Sequence, residues 1–240
     1  MSAVFSLSDF GVLLAPTSRS RAFLQMLAGR GLKPAEAILL PGAEPEGGRK
    51  AIDVPLYAGG GVFTFRPAET LGDTLVRENI PFVTAPTSDV NAPEFIDFIK
   101  ARPSRFFLYS GMPGCLLRAE IFRQSGKRFL HAHGGVAPRY SGSTAFYYSL
   151  LERGTIGATV FWMEEGLDTG DIIHVVEAPP HQGLDIDHVQ DPVIRAEAMA
   201  AAIEILCRDP AHHEKQNHEN RVTYHIIHPV LKHLALKKTG

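Results

Sequence analysis

The chain of 240 residues is poor in cysteine, in long apolar runs and in any excess of charge of one sign. Its two cysteines, Cys115 and Cys207, stand far apart and form no Cys-x-x-Cys. That excludes a disulfide framework and a cysteine-ligated zinc site, and it fits a reducing compartment. No apolar stretch approaches the roughly 18 residues of a membrane-crossing helix. Met1–Asp9 lacks the basic start and apolar core of a signal peptide. A cytoplasmic protein with no membrane partner is therefore expected. Lys and Arg number 24 against 26 Asp and Glu, a formal charge of -2. Such a balance offers no basic field for nucleic acid. With 45% hydrophobic and 21% charged residues, the composition excludes a disordered chain and a coiled coil.

What is present is an alternation of short apolar runs and amphipathic stretches. Gly11–Ala15 and Ala37–Leu40 are continuous apolar runs, the pattern of strands buried on both faces. Between them Phe23, Met26 and Leu27 recur at helical spacing, with Ser18 and Ser20 as candidate caps. Strand, helix, strand within thirty-odd residues is a βαβ unit and implies a parallel sheet. Residues 41–66, rich in Gly and Pro, read as a long surface loop. A helix is expected after Pro67 with Leu71, Leu75 and Val76 on its buried face, and another over 93–101 burying Phe95, Ile96 and Ile99. Further strands are expected at Pro81–Val83, Arg105–Ser110, Arg128–His133, Gly157–Met163 and Asp171–Val176, with helices near 116–124, 143–152 and 191–207. The last helix would bury Ile194, Ala198, Ala201 and Ile205. The fold class that follows is α/β, a mostly parallel Rossmann-like sheet flanked by helices with a small C-terminal appendage.

Two short segments concentrate chemistry. His131-Ala-His133 ends a strand, and residues i and i+2 of a strand share a face, so both imidazoles look into one space. Glu164-Glu-Gly-Leu-Asp-Thr-Gly170 is an acidic, glycine-bearing loop between two strands, able to set the orientation or charge of an imidazole. The Gly-rich stretches at 46–48 and 59–61 lack phosphate-loop spacing and read as solvent loops. The histidines of the tail (His212, His213, His218, His225, His228, His233) read as scattered surface residues.

The segment His131–Gly142 resembles the Asn-x-His-Pro-Ser-Leu-Leu-Pro-x-Tyr-x-Gly signature of the folate-dependent formyltransferases. Glu165–Ile172 resembles that family's second signature, Asp-Glu-Gly-Leu-Asp-Thr-Gly-Asp-Ile. The likeness covers roughly residues 10–180, and the two signatures at the family's spacing make it specific. It implies a catalytic domain over 1–180, with 181–240 as a C-terminal helix and tail packed on the same domain. It implies transfer of a formyl group from 10-formyltetrahydrofolate to the amine of a small molecule, an amino sugar nucleotide or an amino-acid-like metabolite. His133 and Asp168 match the family's catalytic pair, and a folate pocket is implied at Ser110, Gly111, Met112, Cys115, Leu116, Glu164, Glu165, Gly166 and Leu167.

The chain departs from the family at His131, which stands in place of asparagine, and at Gly134-Gly135-Val-Ala137, in place of Pro-Ser-Leu-Leu. A neutral His131 is expected to donate a hydrogen bond to the developing oxyanion, so that His131→Asn would retain much more activity than His131→Ala. Two other readings stand beside transfer: a metal-dependent hydrolase built on His131, His133 and Asp168, and a non-catalytic folate-binding homologue. A tRNA acceptor is disfavoured by the acidic balance. A glycinamide ribonucleotide acceptor is disfavoured by Pro16-Thr-Ser-Arg-Ser20 in place of that enzyme group's Gly-Ser-Gly loop. A homo-oligomer is left open.

Overall fold

A computed structural model describes residues 4–44 and 50–238. The Gly-rich stretch at 46–48 lies outside the described residues. The chain begins as expected, with strand β1 (Phe10–Leu14), helix α1 (Ser18–Gly29) and strand β2 (Glu36–Leu39). Thr17, rather than Ser18 or Ser20, caps α1 by accepting from the Ser20 amide. Strands β3 (Ile52–Pro55) and β4 (Val62–Phe65) follow, then α2 (Leu71–Arg77), β5 (Phe82–Thr84) and α3 (Pro93–Lys100). Next come β6 (Phe106–Ser110), α4 (Ala119–Gln124), β7 (Arg128–His133), the short β8 (Ser141–Gly142) and α5 (Ala145–Arg153). The chain continues with β9 (Ile156–Trp162), β10 (Ile172–Ala178), α6 (Asp191–Arg208), β11 (Thr223–Tyr224) and α7 (Pro229–Leu236).

Among the described residues, seven strands form one sheet in the order β10-β9-β7-β6-β1-β2-β5. β1, β2, β5, β6 and β7 run parallel, and β9 is antiparallel to both β7 and β10. Only β9 therefore runs against the rest. Alternation along β1 sends Phe10, Val12 and Leu14 to one face and Leu13 to the other. The first face is covered by α1 and α6, the second by α3 and α4 through Phe95, Ile96, Ile99 and Ile121. Among the described residues no helix is long and apolar enough to cross a membrane.

Three local expectations are corrected. Residues 52–65 are a hairpin, not a loop: β3 and β4 pair antiparallel, Gly59-Gly60-Gly61 all take positive φ in the turn, and Val54 and Phe65 are fully buried. Val76 faces solvent at 70% exposure while Leu71 and Leu75 are buried, because α2 has less than two full turns with which to cover the core. α6 is buried almost all round, through Val193, Met199, Ala202, Ile203 and Leu206 as well as Ile194 and Ala198, whereas Ala201 and Ile205 are only partly covered. It is wedged between α1 and the β9–β10 side of the sheet, so a one-faced pattern does not describe it.

Buried in α6, Glu197 fixes the hairpin to the core. Its carboxylate accepts from the Tyr57 amide at 2.7 Å and from the Ala58 amide at 2.8 Å. Glu197→Ala is expected to lower the unfolding free energy by about 1–3 kcal/mol, because two amide donors lose their acceptor. Urea unfolding followed by circular dichroism checks this, and an unchanged midpoint would show the hairpin to be held by other contacts.

Candidate active site

The parallel strands reverse their order of addition between β1 and β6, and open α/β sheets place ligand sites at the carboxyl ends beside such a point. Beside it, β7 delivers His131 and His133 on the same face, two residues apart. Asp168 does not come from a loop at an adjacent carboxyl end, where an open parallel sheet carrying His133 at a strand end would be expected to place its partner. Since β9 runs in reverse, its last residue, Trp162, pairs with Leu130, and Met163 donates its amide to Phe129 at the start of β7. The loop beyond therefore runs back along the strand rather than standing on an adjacent carboxyl end. Asp168 is held there with φ at +51°, a left-handed conformation that aspartate tolerates better than most residues.

Asp168 is 8% exposed and His133 5%. One carboxylate oxygen, Oδ2, accepts from the Gly142 amide at 2.8 Å and lies 3.6 Å from His133 Nδ1. The other ring nitrogen, Nε2, sits 2.7 Å from the Tyr140 carbonyl. A carbonyl only accepts, so Nε2 carries a proton and the neutral ring turns a lone pair toward Asp168. Burial holds the His133 pKa below the usual imidazole range, with the Asp168 carboxylate opposing that effect. The pair is thus neutral imidazole beside carboxylate, with a place for one more proton between them.

The departures at 134 and 135 have a spatial reason. A Cβ on Gly135 would strike the Tyr140 carbonyl and approach His133 Nε2 to 2.9 Å. A Cβ on Gly134 would strike the Arg195 guanidinium and approach Asp191 Oδ1 to 2.7 Å. The two glycines admit the carbonyl that orients His133 and the Asp191–Arg195 pair from α6. Gly135→Ala is expected to cost about 1–3 kcal/mol of stability through overpacking and to loosen the His133 ring. Chemical unfolding and the histidine ring signals in NMR check both, and an unmoved His133 signal would refute the second.

His131 donates differently. Its Nδ1 is 3.2 Å from the Tyr109 carbonyl, and its ring packs edge-on to Phe161 at 5.9 Å. Burial, then the charge of Arg19, pushes its pKa down to about 3, Asp168 opposing and Arg195 adding to the effect. The expected donation to an oxyanion is therefore not open to this tautomer, because the single ring proton is spent on Tyr109. Among the described residues no group of three His, Cys, Asp or Glu side chains is placed to hold a metal, so His131, His133 and Asp168 do not converge as a ligand set.

A cleft of about 130 Å³ opens beside these residues, lined by Tyr109, Cys115, Leu116, Leu117, His131, Phe161 and Met163 and by Glu164–Asp168. Of the segment expected there, Cys115, Leu116, Glu164, Glu165, Gly166 and Leu167 line the cleft. Ser110, Gly111 and Met112 do not: Ser110 is fully buried against Ser20 and Arg19, Gly111 gives its carbonyl to Arg19, and Met112 points outward. Sequence reasoning missed Arg19 and Arg195. Arg19 occupies the first turn of α1, where only caps were sought, and burial lowers its pKa to about 10. Arg195 pairs with Asp191 at 2.8 Å and reaches the Ala132 carbonyl. The i, i+4 spacing of Asp191 and Arg195 was the available signal, hidden in a segment read only as a helix start.

Comparison with known proteins places these features in context. The family model described as formyl transferase matches residues 112–205. The methionyl-tRNA formyltransferase of Rhizorhabdus wittichii is 35% identical over 112 residues, 46% of this chain and 36% of that protein. That of Clostridioides difficile is 26% identical over 168 residues, 69% of this chain and 53% of its own length. The chain thus spans between about a third and a half of these relatives. Among solved structures, an N-formyltransferase from Helicobacter canadensis, in complex with folinic acid and dTDP-3-aminofucose, superposes with a TM-score of 0.60 at 13% identity, over 96% of this chain and 80% of that one. At such identity the likeness is one of fold.

Proposed function

We propose that the chain, which is similar to formyl transferases over residues 112–205, transfers a formyl group from a folate-derived donor to the amine of a small molecule. The observation that carries this reading is the buried His133–Asp168 pair, 3.6 Å apart, of which Asp168 lines the cleft and His133 lies behind it. Formyl transfer needs a group that holds and releases a proton beside the reacting carbon. His133 can take a second proton on Nδ1, where Asp168 would stabilise the imidazolium while Tyr140 keeps the ring in place. Three backbone and side-chain contacts thus fix one buried proton site.

The wall chemistry suits the donor. Tyr109, Leu116, Leu117, Phe161 and Met163 offer apolar surface to a flat heteroaromatic ring, and the backbone of Glu164–Asp168 offers polar groups to its edge. 10-formyltetrahydrofolate would supply the activated one-carbon unit. The H. canadensis protein was solved with folinic acid, a formylated folate, which supports that choice. An amino sugar nucleotide is favoured as acceptor by the same structure, which also holds dTDP-3-aminofucose.

The test is incubation with 10-formyltetrahydrofolate and a panel of amines, reading tetrahydrofolate release together with the mass of the product. Gain of one formyl group on an amine is the expected result. Release of formate at the same rate with and without amine would instead identify a hydrolase. Saturable folate binding with neither product would identify a binding homologue.

A further inference from the structure

The replacement of the family's asparagine by His131 raises a chemical question that the ring's surroundings answer. Nδ1 faces a backbone carbonyl at 3.2 Å, an atom that can only accept, so the proton of the neutral ring resides on Nδ1. Nε2 then carries a lone pair, and His131 is among the residues that line the cleft. Around the ring stand Tyr109 of β6, Phe161 of β9, Arg19 of α1, Arg195 of α6 and Asp168 of the returning loop. Burial first, and then the two cations among these, hold the ring neutral and preserve the lone pair. An amide side chain at this place could turn either its oxygen or its nitrogen to the cleft; this imidazole has its direction set by the Tyr109 carbonyl.

We propose that His131 presents a bare Nε2 to the cleft and removes the proton of the attacking amine, while the His133–Asp168 pair holds a second, separate proton toward the developing oxyanion. The proposal rests on the formyl-transfer reading and assigns a role within it. The amine nitrogen uses its lone pair to form a bond to the formyl carbon, and the C=O π pair moves onto oxygen, whose charge develops in the field of Arg19 and Arg195. That nitrogen becomes cationic, its N–H turns strongly acidic, and the proton passes to Nε2. The oxyanion then re-forms C=O, the bond to the folate nitrogen breaks, and that nitrogen takes the proton from Nε2. The products are the formamide and tetrahydrofolate, with His131 neutral again. The negative charge of the intermediate offsets the two guanidinium groups at the moment when the ring must be basic.

Two measurements test this. Protein labelled with [15N]histidine should show, by long-range proton–nitrogen correlation near neutral pH, a protonated Nδ1 and a bare Nε2 for His131, identified by the signal absent from His131→Asn. The variants should separate in turnover. Asparagine places its amide where Nδ1 was, keeping the tie to Tyr109 and leaving nothing at Nε2. Wild type should therefore exceed His131→Asn roughly 100-fold in kcat, the scale of a lost general base, with KM little changed. Glutamine extends an amide to the Nε2 position but cannot carry a proton, so His131→Gln should be as slow. A proton on Nε2, or full turnover in His131→Asn, overturns the proposal while formyl transfer itself stands. A wild-type chain that transfers to no amine overturns the functional reading and this proposal with it.

Discussion

Asp168→Asn is expected to lower the turnover of formyl transfer by about 10²- to 10⁴-fold, the range over which a positioned proton acceptor or its stabilising charge acts, with little loss of stability. The structure makes this substitution unusually clean. The amide oxygen of asparagine can accept from the Gly142 amide as Oδ2 does now, at 2.8 Å. Its NH2 can then donate to the His133 Nδ1 lone pair that Asp168 faces at 3.6 Å. Shape and hydrogen bonding survive, and only the charge that would stabilise a protonated His133 is lost. His133→Ala should be at least as slow. The double variant should be no slower than the worse single one, since the two side chains serve one proton and act as a unit. Stopped assays of each variant with saturating donor check the series. Losses that multiply in the double variant would mean that the two side chains act independently.

The second large effect concerns acid. His131 is neutral in the fold with its pKa pushed down to about 3, and burial lowers His133 as well. In the unfolded chain both take up a proton near pH 6.5. For a base whose folded pKa is depressed, the stabilisation is complete above the unfolded value and is lost as pH falls toward the folded one. Stability should decline below about pH 6.5, by up to about 1.4 kcal/mol per pH unit for each ring. For His131 the decline continues toward pH 3. His131→Asn removes one titrating ring, so its decline should be shallower. Urea unfolding at a series of pH values from 7.5 to 4 reads the slopes directly, and identical slopes would mean that His131 accepts its proton within the fold.

Much of this architecture is legible in the chain because short apolar runs and 3.6-residue spacing report burial directly. β1, β2 and β6 lie where continuous apolar residues stand, and α3 buries Phe95, Ile96 and Ile99, as its spacing requires. The β3–β4 hairpin was hidden because its three turn glycines resemble a loop when the partner strands have only four residues each. The burial of α6 on several sides reflects a position between α1 and the sheet, which no single-helix pattern can encode. At the site, alternation placed His131 and His133 on one face, and the likeness to two signatures linked them to Asp168. The reversed direction of β9, and hence the long way round taken by Asp168, depends on pairing between distant segments. So does the tautomer of His131, which is set by a carbonyl twenty-two residues earlier.

The tail segment that forms β11 has a consequence for the order in which the protein is completed. Thr223 and Tyr224 pair with Ser141 and Gly142, about eighty residues away, and the Ser141 and Ser143 amides donate to Val222 and Tyr224 carbonyls. Gln216 and Arg221 grip the Gly170 and Leu167 carbonyls of the loop that bears Asp168. On a ribosome the sheet can close while these residues are still inside the exit tunnel. The Gly142 amide and the loop that must meet it then wait, without their brace, for residues 214–228 to emerge. Nascent chains held on the ribosome by an added linker that leaves residues up to 213 outside the tunnel should therefore already protect the sheet from protease yet leave the 164–170 loop open to cleavage, and protection of that loop should appear only when a longer linker brings 214–228 out of the tunnel.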